Sequence, residues 1–263
     1  MNLNRSFFVP ARSFLHSLNP LTKLTLVFTI IALAFFSLPW VAPALILPVF
    51  LMGFIGKVQK QYLNVIAKLI LPTVGFMFVM QSLFLPDGET IIFSISILDV
   101  SLETMRTAFL TVSRIFVMIS SFTLLLLTTH PSELMSDLTR RGMPGQFAYV
   151  IISTLQILPQ MQAKAQTIIA AQRSRGLDTQ SSFRKRVGAL VPLVGPLVFG
   201  SLVEVEERAI AIEARGFTST RVKTSLHEIP DSSLDKILRW GLVFLIVVAI
   251  AWRFLITYRV PHN

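Results

Sequence analysis

Runs of apolar residues that are long enough to cross a lipid bilayer dominate this chain and limit what it can fold into. A membrane-spanning helix needs about 20 mostly apolar residues, and it forms because lipid offers no partner to an unpaired backbone group. Hydrophobic residues make up 53% of the sequence and charged residues only 14%, whereas a soluble domain carries about 25% charged residues. The sequence therefore predicts an all-α polytopic membrane protein with about five transmembrane helices.

The predicted spans leave a long polar stretch between the fourth and the fifth. The first four spans form a transmembrane region over residues 1–129, near 21–38, 40–56, 65–85 and 105–128. Residues 235–263 contain the final transmembrane helix and the carboxyl terminus. The stretch between them, residues 130–234, is amphipathic at helical spacing, which predicts a module of long amphipathic helices.

The charges that flank the spans predict their orientation. The segment before the first span carries Arg5, Arg12 and Lys23, and the loop between the second and third spans carries Lys57, Lys60 and Lys68. Neither segment contains an acid. The segment between the third and fourth spans carries only acids before Arg106, namely Asp87, Glu89, Asp99 and Glu103. By the positive-inside rule the amino terminus is cytoplasmic and the acidic segment is outside. We therefore expect a multi-pass protein of the cell membrane whose polar module lies on the cytoplasmic side.

Several kinds of chemistry are missing from the sequence. There are no cysteines, which excludes disulfides and thiolate sites. The nearest approach to a nucleotide-binding loop, residues 53–57, lacks the required spacing and the hydroxyl residue after the lysine. The four histidines are too scattered to form a metal site. We expect no catalytic residue, no cofactor and no metal, so the chain is not an enzyme and any ATP hydrolysis belongs to another subunit.

The net charge of +10 is a topology signal and does not indicate nucleic-acid binding. The aromatic residues lie inside the apolar runs and do not alternate with basic residues. Basic residues that flank apolar spans are instead typical of a membrane protein's cytoplasmic face. We therefore expect a lipid bilayer and no nucleic acid among the partners.

Two similar helix endings stand forty residues apart in the polar module. "AAQRSRG" ends at Gly176 and "AIEARG" ends at Gly216. A glycine just past a helix end adopts the left-handed cap conformation cheaply, and an arginine there complements the helix dipole, so one such ending alone indicates only capping. Two copies on one side of a membrane predict a pair of docking ends for a partner with two similar sockets, because a guanidinium group presents its donors in a fixed fork.

With these endings the sequence resembles the transmembrane T component of energy-coupling-factor transporters, the ABC-type importers of vitamins and transition metals. The resemblance covers most of the chain and includes "HSLNPLTKLTLVF", "TTHPSEL", "LPQMQAKAQTIIAAQRSRG" and "ERAIAIEARGF". It implies that two coupling helices dock in grooves of two ATP-binding cassette ATPase subunits. It also implies that a small substrate-binding membrane subunit, the S component, selects the vitamin or metal ion, while this chain transmits the ATP-driven motion.

The resemblance assigns the docking residues one by one. They are Ser174, Arg175 and Gly176 in the first ending and Ala214, Arg215 and Gly216 in the second. The first ending departs from the family's Ala-Arg-Gly signature at Ser174. Serine is nearly as small as alanine, so close approach to a partner is retained.

Other charged residues carry weaker predictions. Arg114, in the fourth span, is the candidate for an intramembrane functional charge, because charges in a span tend to face a cavity or a partner. Arg106 is placed to reach outward from the start of that span. The acids on the second polar helix form an exposed face, with Glu204 one turn from Arg208 and able to pair with it; they are Glu204, Glu206, Glu207 and Glu213.

A self-sufficient secondary transporter is the alternative function. Such a protein has ionisable residues near the membrane midplane and repeated halves among its spans. Only Arg114 meets the first condition, and the repeat in this sequence lies in the polar module.

Overall fold

A computed structural model describes residues 9, 11, 13–84, 91–95, 98–176, 183–217, 219 and 231–259. Within these ranges the protein is all-α apart from one short antiparallel hairpin. The elements are α1 (Phe14–Ser17), α2 (Pro20–Phe36), α3 (Val41–Ile55), α4 (Gln59–Val65), a π-helical turn (Ile66–Ile70), α5 (Leu71–Phe84), β1 (Ile91–Ile95), β2 (Leu98–Ser101), α6 (Leu102–Thr128), α7 (Pro131–Arg140), α8 (Gly145–Ser174), α9 (Phe183–Ala214) and α10 (Ser233–Arg259). The orienting charges Arg5, Arg12, Asp87 and Glu89 lie outside the described residues.

Helices occupy all five predicted spans. Three helices are long and apolar enough to cross a membrane, at Gln59–Phe84, Leu102–Thr128 and Ser233–Leu255, and the shorter α2 and α3 are also apolar. The third span begins at Gln59, earlier than predicted, because the polar first turn of α4 continues into the apolar helix. A π-helical turn comes just before Pro72, where the proline ring leaves no backbone N–H to donate.

The described chain falls into two compact units. The bundle unit contains the residues up to Arg141 and those from Asp231 onward, and the helix-pair unit contains α8 and α9. In the bundle unit α6 is central and packs against α2, α3 and α5, while α10 packs along α2. Asn19 contacts Asp235 and Thr29 contacts Leu242, so α2 and α10 run in the same direction.

Polar contacts close one end of the bundle, and they explain the "NPLTK" stretch of α2. Lys23 is only 4% exposed, and its Nζ donates to the carbonyls of His16, at 3.2 Å, and Thr128, at 3.0 Å. Asn19 caps α2 by accepting from the Leu21 N–H at 2.9 Å, while its own N–H donates to Asp235 Oδ1 at 3.1 Å. The carbonyls of His16 and Thr128 replace water around the buried Lys23 ammonium group, and Asp235 accepts from a backbone N–H, so both charged groups have polar partners.

Deeper in the bundle, the helices α3, α4 and α6 pack closely together. Tyr62 of α4 is 1% exposed, and its hydroxyl is hydrogen-bonded to the Ser120 hydroxyl of α6. On α3, a Cβ added to Gly53 would lie 2.7 Å from Cδ1 of the Tyr62 ring. Glycine at position 53 is therefore what lets α3 pack on this tyrosine.

We expect Gly53→Ala to destabilise the bundle by about 1–3 kcal/mol, because the added methyl group displaces a buried ring and its hydrogen bond to Ser120. The measurement is thermal unfolding of the purified protein in detergent. Gly75→Ala is the matched control, since nothing lies within 4 Å of a Cβ at Gly75. Equal loss of stability in both variants would contradict this packing account.

His16 gives the amino-terminal end a dependence on pH. Its Nε2–H donates to the Val9 carbonyl at 3.0 Å, and its Nδ1 accepts from the Ser13 hydroxyl at 2.8 Å, which is the neutral tautomer. Burial, followed by the charge of Lys23, lowers the pKa of His16 below 6.5, although the Val9 carbonyl and Glu133 oppose that shift.

Because the pKa of His16 is lower in the folded state than in the unfolded state, the unfolded chain binds more protons, and the stability falls as pH falls below 6.5. We expect the melting temperature to drop between about pH 7.5 and about pH 5.5, and His16→Gln to reduce that drop. Scanning fluorimetry at the two pH values measures it. An identical drop in the variant and the natural protein would show that His16 does not cause the pH dependence of stability.

Candidate functional site

The two Arg–Gly endings have the same backbone structure. Gly176 has a φ of 89° and Gly216 a φ of 69°, both in the left-handed region. The Gly176 N–H donates to the Arg173 carbonyl at 3.0 Å, and the Gly216 N–H donates to the Glu213 carbonyl at 2.8 Å. Each helix therefore ends in the same three-residue turn, so the chain leaves both arginines in equivalent settings.

The six residues to which the resemblance assigned docking are all exposed. They are Ser174, Arg175, Gly176, Ala214, Arg215 and Gly216. No described residue lies within 4 Å of a Cβ built at either glycine, and the positive φ favours glycine at these positions. Each ending is therefore a helix terminus whose arginine side chain is exposed among the described residues.

Each of the two polar helices is a single long helix. The α8 helix has 30 residues and the α9 helix has 32. Pro159 lies inside α8, and Pro192 and Pro196 lie inside α9. An internal proline costs one hydrogen bond, which a long helix with many remaining bonds can accommodate.

The helices of the pair run antiparallel. Near the middle, Lys164 of α8 forms an ion pair with Glu204 of α9, and the Ser201 hydroxyl contacts the Met161 sulfur at 3.6 Å. At one end, the rings of Tyr149 and Phe217 lie 5.3 Å apart. The start of α8 therefore lies beside the end of α9, so the two Arg–Gly endings point away from each other.

The contacts at the middle of the pair join equivalent positions of the repeat. Met161 meets Ser201 and Lys164 meets Glu204, and in both cases the offset is the forty residues that relate the two endings. Arg175 follows Lys164 by eleven residues, and Arg215 follows Glu204 by eleven residues. At 1.5 Å per residue, each arginine lies about 16 Å along its helix from the contact point. The segments from Lys164 to Arg175 and from Glu204 to Arg215 are thus two arms of equal length that extend from one crossing point.

The crossing pair shows which partner Glu204 takes and supplies a residue that the sequence reasoning missed. Glu204 is spaced to pair with Arg208 on its own helix, but it pairs with Lys164 on the neighbouring helix. Tertiary contact overrides the intrahelical option, which is worth only about 0.2–0.5 kcal/mol. The other acids of α9 are exposed as predicted, at Glu206, Glu207 and Glu213. Extending the forty-residue repeat backwards from the endings would have identified Lys164.

The two arginines of α6 have different surroundings. Arg106 lies over the ring of Trp40, with its guanidinium carbon 5.0 Å from the ring centroid, near the turn between α2 and α3. Arg114 lies two turns further along α6 and is half-buried. Its Nε atom is buried and has no hydrogen-bond partner among the described residues. A buried donor that the bundle unit does not satisfy is a candidate contact point for a partner.

Comparisons with known proteins agree with this arrangement. The family model described as cobalt transport protein, CbiQ, matches residues 11–226. The energy-coupling factor transporter transmembrane protein EcfT of Bacillus subtilis is 30% identical over 92% of this chain and 94% of its own length. The proteins of the same name from Leuconostoc gelidum and Lactococcus lactis are 29% and 23% identical, over 92% and 95% of this chain and 93% and 98% of their own lengths.

The fold and these matches define a class, the transmembrane components of transporters. Within that class, the chain belongs to the CbiQ family. The resemblance to the T component of energy-coupling-factor transporters is thereby confirmed, as is the prediction of an all-α membrane protein.

Proposed function

We propose that this chain is the coupling subunit of an energy-coupling factor transporter. It receives ATP-driven motion from two ATP-binding cassette ATPase subunits and passes it to a substrate-binding membrane subunit for uptake of a vitamin or a metal ion. The observation that carries the proposal is the pair of equivalent, exposed Arg–Gly endings at equal distances from the α8–α9 crossing. The relatives' names, which place them in energy-coupling factor transporters, support it.

Equal arms suit a partner that offers the same socket twice. Two homologous ATPase subunits related by a two-fold axis present two such sockets on opposite sides of that axis. With the Lys164–Glu204 contact on the axis, Arg175 and Arg215 would each reach one socket, up to roughly 30 Å apart. The guanidinium group donates to carbonyls or carboxylates in the socket, and the small residue before it, Ser174 or Ala214, permits close approach.

The helix-pair unit works on the cytoplasmic side in this proposal. Basic residues without acids follow α3, at Lys57, Lys60 and Lys68, which favours a cytoplasmic position for that end of the bundle. The same end holds Lys23 and the start of α7, after which the chain enters the helix-pair unit. The amino terminus is then cytoplasmic, and the module predicted for residues 130–234 has its compact part at 142–228. The protein itself would lie in the cell membrane.

The chain needs no catalytic residue or cofactor of its own for this function. The ATPase subunits hydrolyse ATP, and the S component binds the substrate, while this chain transmits force. A self-sufficient secondary transporter would have to bind and release its substrate alone. The relatives are named as the transmembrane protein of a transporter with an energy-coupling factor, which favours the coupling function.

Arg114 contacts the substrate-binding subunit in the same proposal. A guanidinium group in lipid is costly unless it meets an acceptor, and the Nε atom of Arg114 is buried without one among the described residues. The Nε atom is enclosed within the bundle, but Arg114 as a whole is half-buried. The remaining donors of its guanidinium fork can therefore donate to a carbonyl or carboxylate oxygen of a neighbouring membrane helix.

We expect Arg114→Gln to reduce co-purification of the S component at least fivefold while the ATPase subunits stay bound, because the lost contact lies within the bundle unit. Quantitative pull-down of the complex from detergent measures both partners at once. Arg106→Gln is the control, since Arg106 already has the Trp40 ring as its partner. Full retention of the S component by Arg114→Gln would exclude this contact.

The docking proposal predicts that Arg175→Glu together with Arg215→Glu lowers co-purification of the ATPase subunits at least tenfold. Loss of a buried, hydrogen-bonded charge pair costs about 2–5 kcal/mol, and each 1.4 kcal/mol is tenfold in affinity. The matched control is Arg173→Glu with Arg208→Glu, which makes the same change of charge on the same two helices. Membrane fractionation checks that both proteins insert normally. Undiminished ATPase binding by the first variant would show that the endings do not dock.

A further inference from the structure

A cluster of charges joins α7 to α10 in the bundle unit, and its centre is Asp231. The Asp231 carboxylate is only 8% exposed and contacts three arginines. Arg141 lies 3.0 Å from Oδ2, Arg239 lies 3.1 Å from Oδ1, and Arg140 lies farther away, at 3.9 Å. One carboxylate thus ties the carboxyl end of α7 to the first turns of α10.

Arg141 is the bridging member of this cluster. Its Nε donates to Asp137 Oδ2 at 3.3 Å while its NH2 group donates to Asp231 Oδ2 at 3.0 Å. The Asp137 side chain is fully buried, and that of Arg239 is 16% exposed. Burial alone would raise the pKa of Asp231, but Arg239 and Arg141 outweigh it and hold that pKa below its usual value. The Asp231 carboxylate is therefore ionised at neutral pH, and its largely buried ion pairs are less screened than surface pairs.

The cluster stands where the chain leaves the bundle unit and where it returns. The bundle unit ends at Arg141 in its first segment and resumes at residue 229, just before Asp231. The whole helix-pair unit is inserted between these points, and the Arg141–Asp231 contact joins residues 90 positions apart. Within the bundle unit, that contact joins the residue before the inserted helix-pair unit to a residue just after it.

We propose that Asp231 is a positioning residue: by binding Arg141, it clamps together the two points at which the chain leaves and re-enters the bundle unit, so that movement of the helix-pair unit reaches α7 and α10. This inference rests on the proposed function of the chain. Two backbone connections without a clamp act as tethers that absorb displacement. A buried, charge-assisted network instead fixes orientation, because each guanidinium group binds in a defined geometry. Both α7 and α10 pack on α2, which is the next element to receive the motion.

The absence of native cysteines allows a test that needs no knowledge of the transported substrate. In the assembled complex with its ATPase subunits, one fluorophore is attached at Gln166→Cys on α8 and, in a separate sample, one at Leu38→Cys beyond α2. Both positions are exposed. A non-hydrolysable ATP analogue is added, and the emission shift at each position is measured in the natural background and in clamp variants.

We expect both labels to respond in the natural background. In Asp231→Asn and in Arg141→Lys, the shift at Gln166→Cys is retained and the shift at Leu38→Cys falls at least fivefold. Arg141→Lys keeps the charge but loses the guanidinium fork that bridges two carboxylates. It is the second test variant if Asp231→Asn does not accumulate in the membrane. Arg140→Lys is the matched control, because Arg140 is the more exposed and more distant member, and both shifts should be unchanged.

Two results would overturn the clamp. One is a normal shift at Leu38→Cys in Arg141→Lys, and the other is a response at Gln166→Cys without any at Leu38→Cys in the natural background. A natural complex in which the label at Gln166→Cys does not respond to nucleotide would instead count against the proposed function. The two failures are therefore distinguishable.

Discussion

The antiparallel contact between α8 and α9 is the interaction on which the rest of this structure depends. Lys164 and Glu204 meet at equivalent positions of a forty-residue repeat. That pairing places Arg175 and Arg215 at the far ends of two equal arms. A helix terminus with a left-handed glycine and an exposed guanidinium group is an ordinary cap when it occurs once. Under the proposed function, two such termini that are held at a fixed separation by one crossing bind two matching sockets.

Buried polar contacts stabilise the bundle unit. Buried polar groups hold one end of it together. Lys23 donates hydrogen bonds to two carbonyls, and Asp235 accepts one from the backbone N–H of Asn19. Deeper in the unit, Tyr62 and Ser120 join α4 to α6 by a hydrogen bond. Such contacts are costly to break in a low-dielectric setting, since no water replaces the lost partner. The proposed coupling function needs this stiffness, because a force applied at one end must not be lost in local rearrangement.

Hydropathy was enough to predict apolar helices at all five positions, three of them long enough to cross a membrane, because burial in lipid requires apolar helices whatever their tertiary contacts. The two endings were also visible in the sequence, since glycine and arginine at a helix end leave a local signature. Contacts between distant segments were not visible. Glu204 paired with Lys164 and not with Arg208, and the Asp231 cluster joins residues 90 positions apart.

The central claim is that both arginine-tipped endings face the cell interior, and impermeant thiol labelling tests it most directly. The chain has no cysteine, so Ser174→Cys and Ala214→Cys each introduce a single reactive group beside an arginine. The account predicts that a membrane-impermeant maleimide leaves both positions unlabelled in intact cells and labels both in inside-out vesicles. Labelling of either position from outside intact cells would contradict the account, because no cytoplasmic ATPase could then bind that ending.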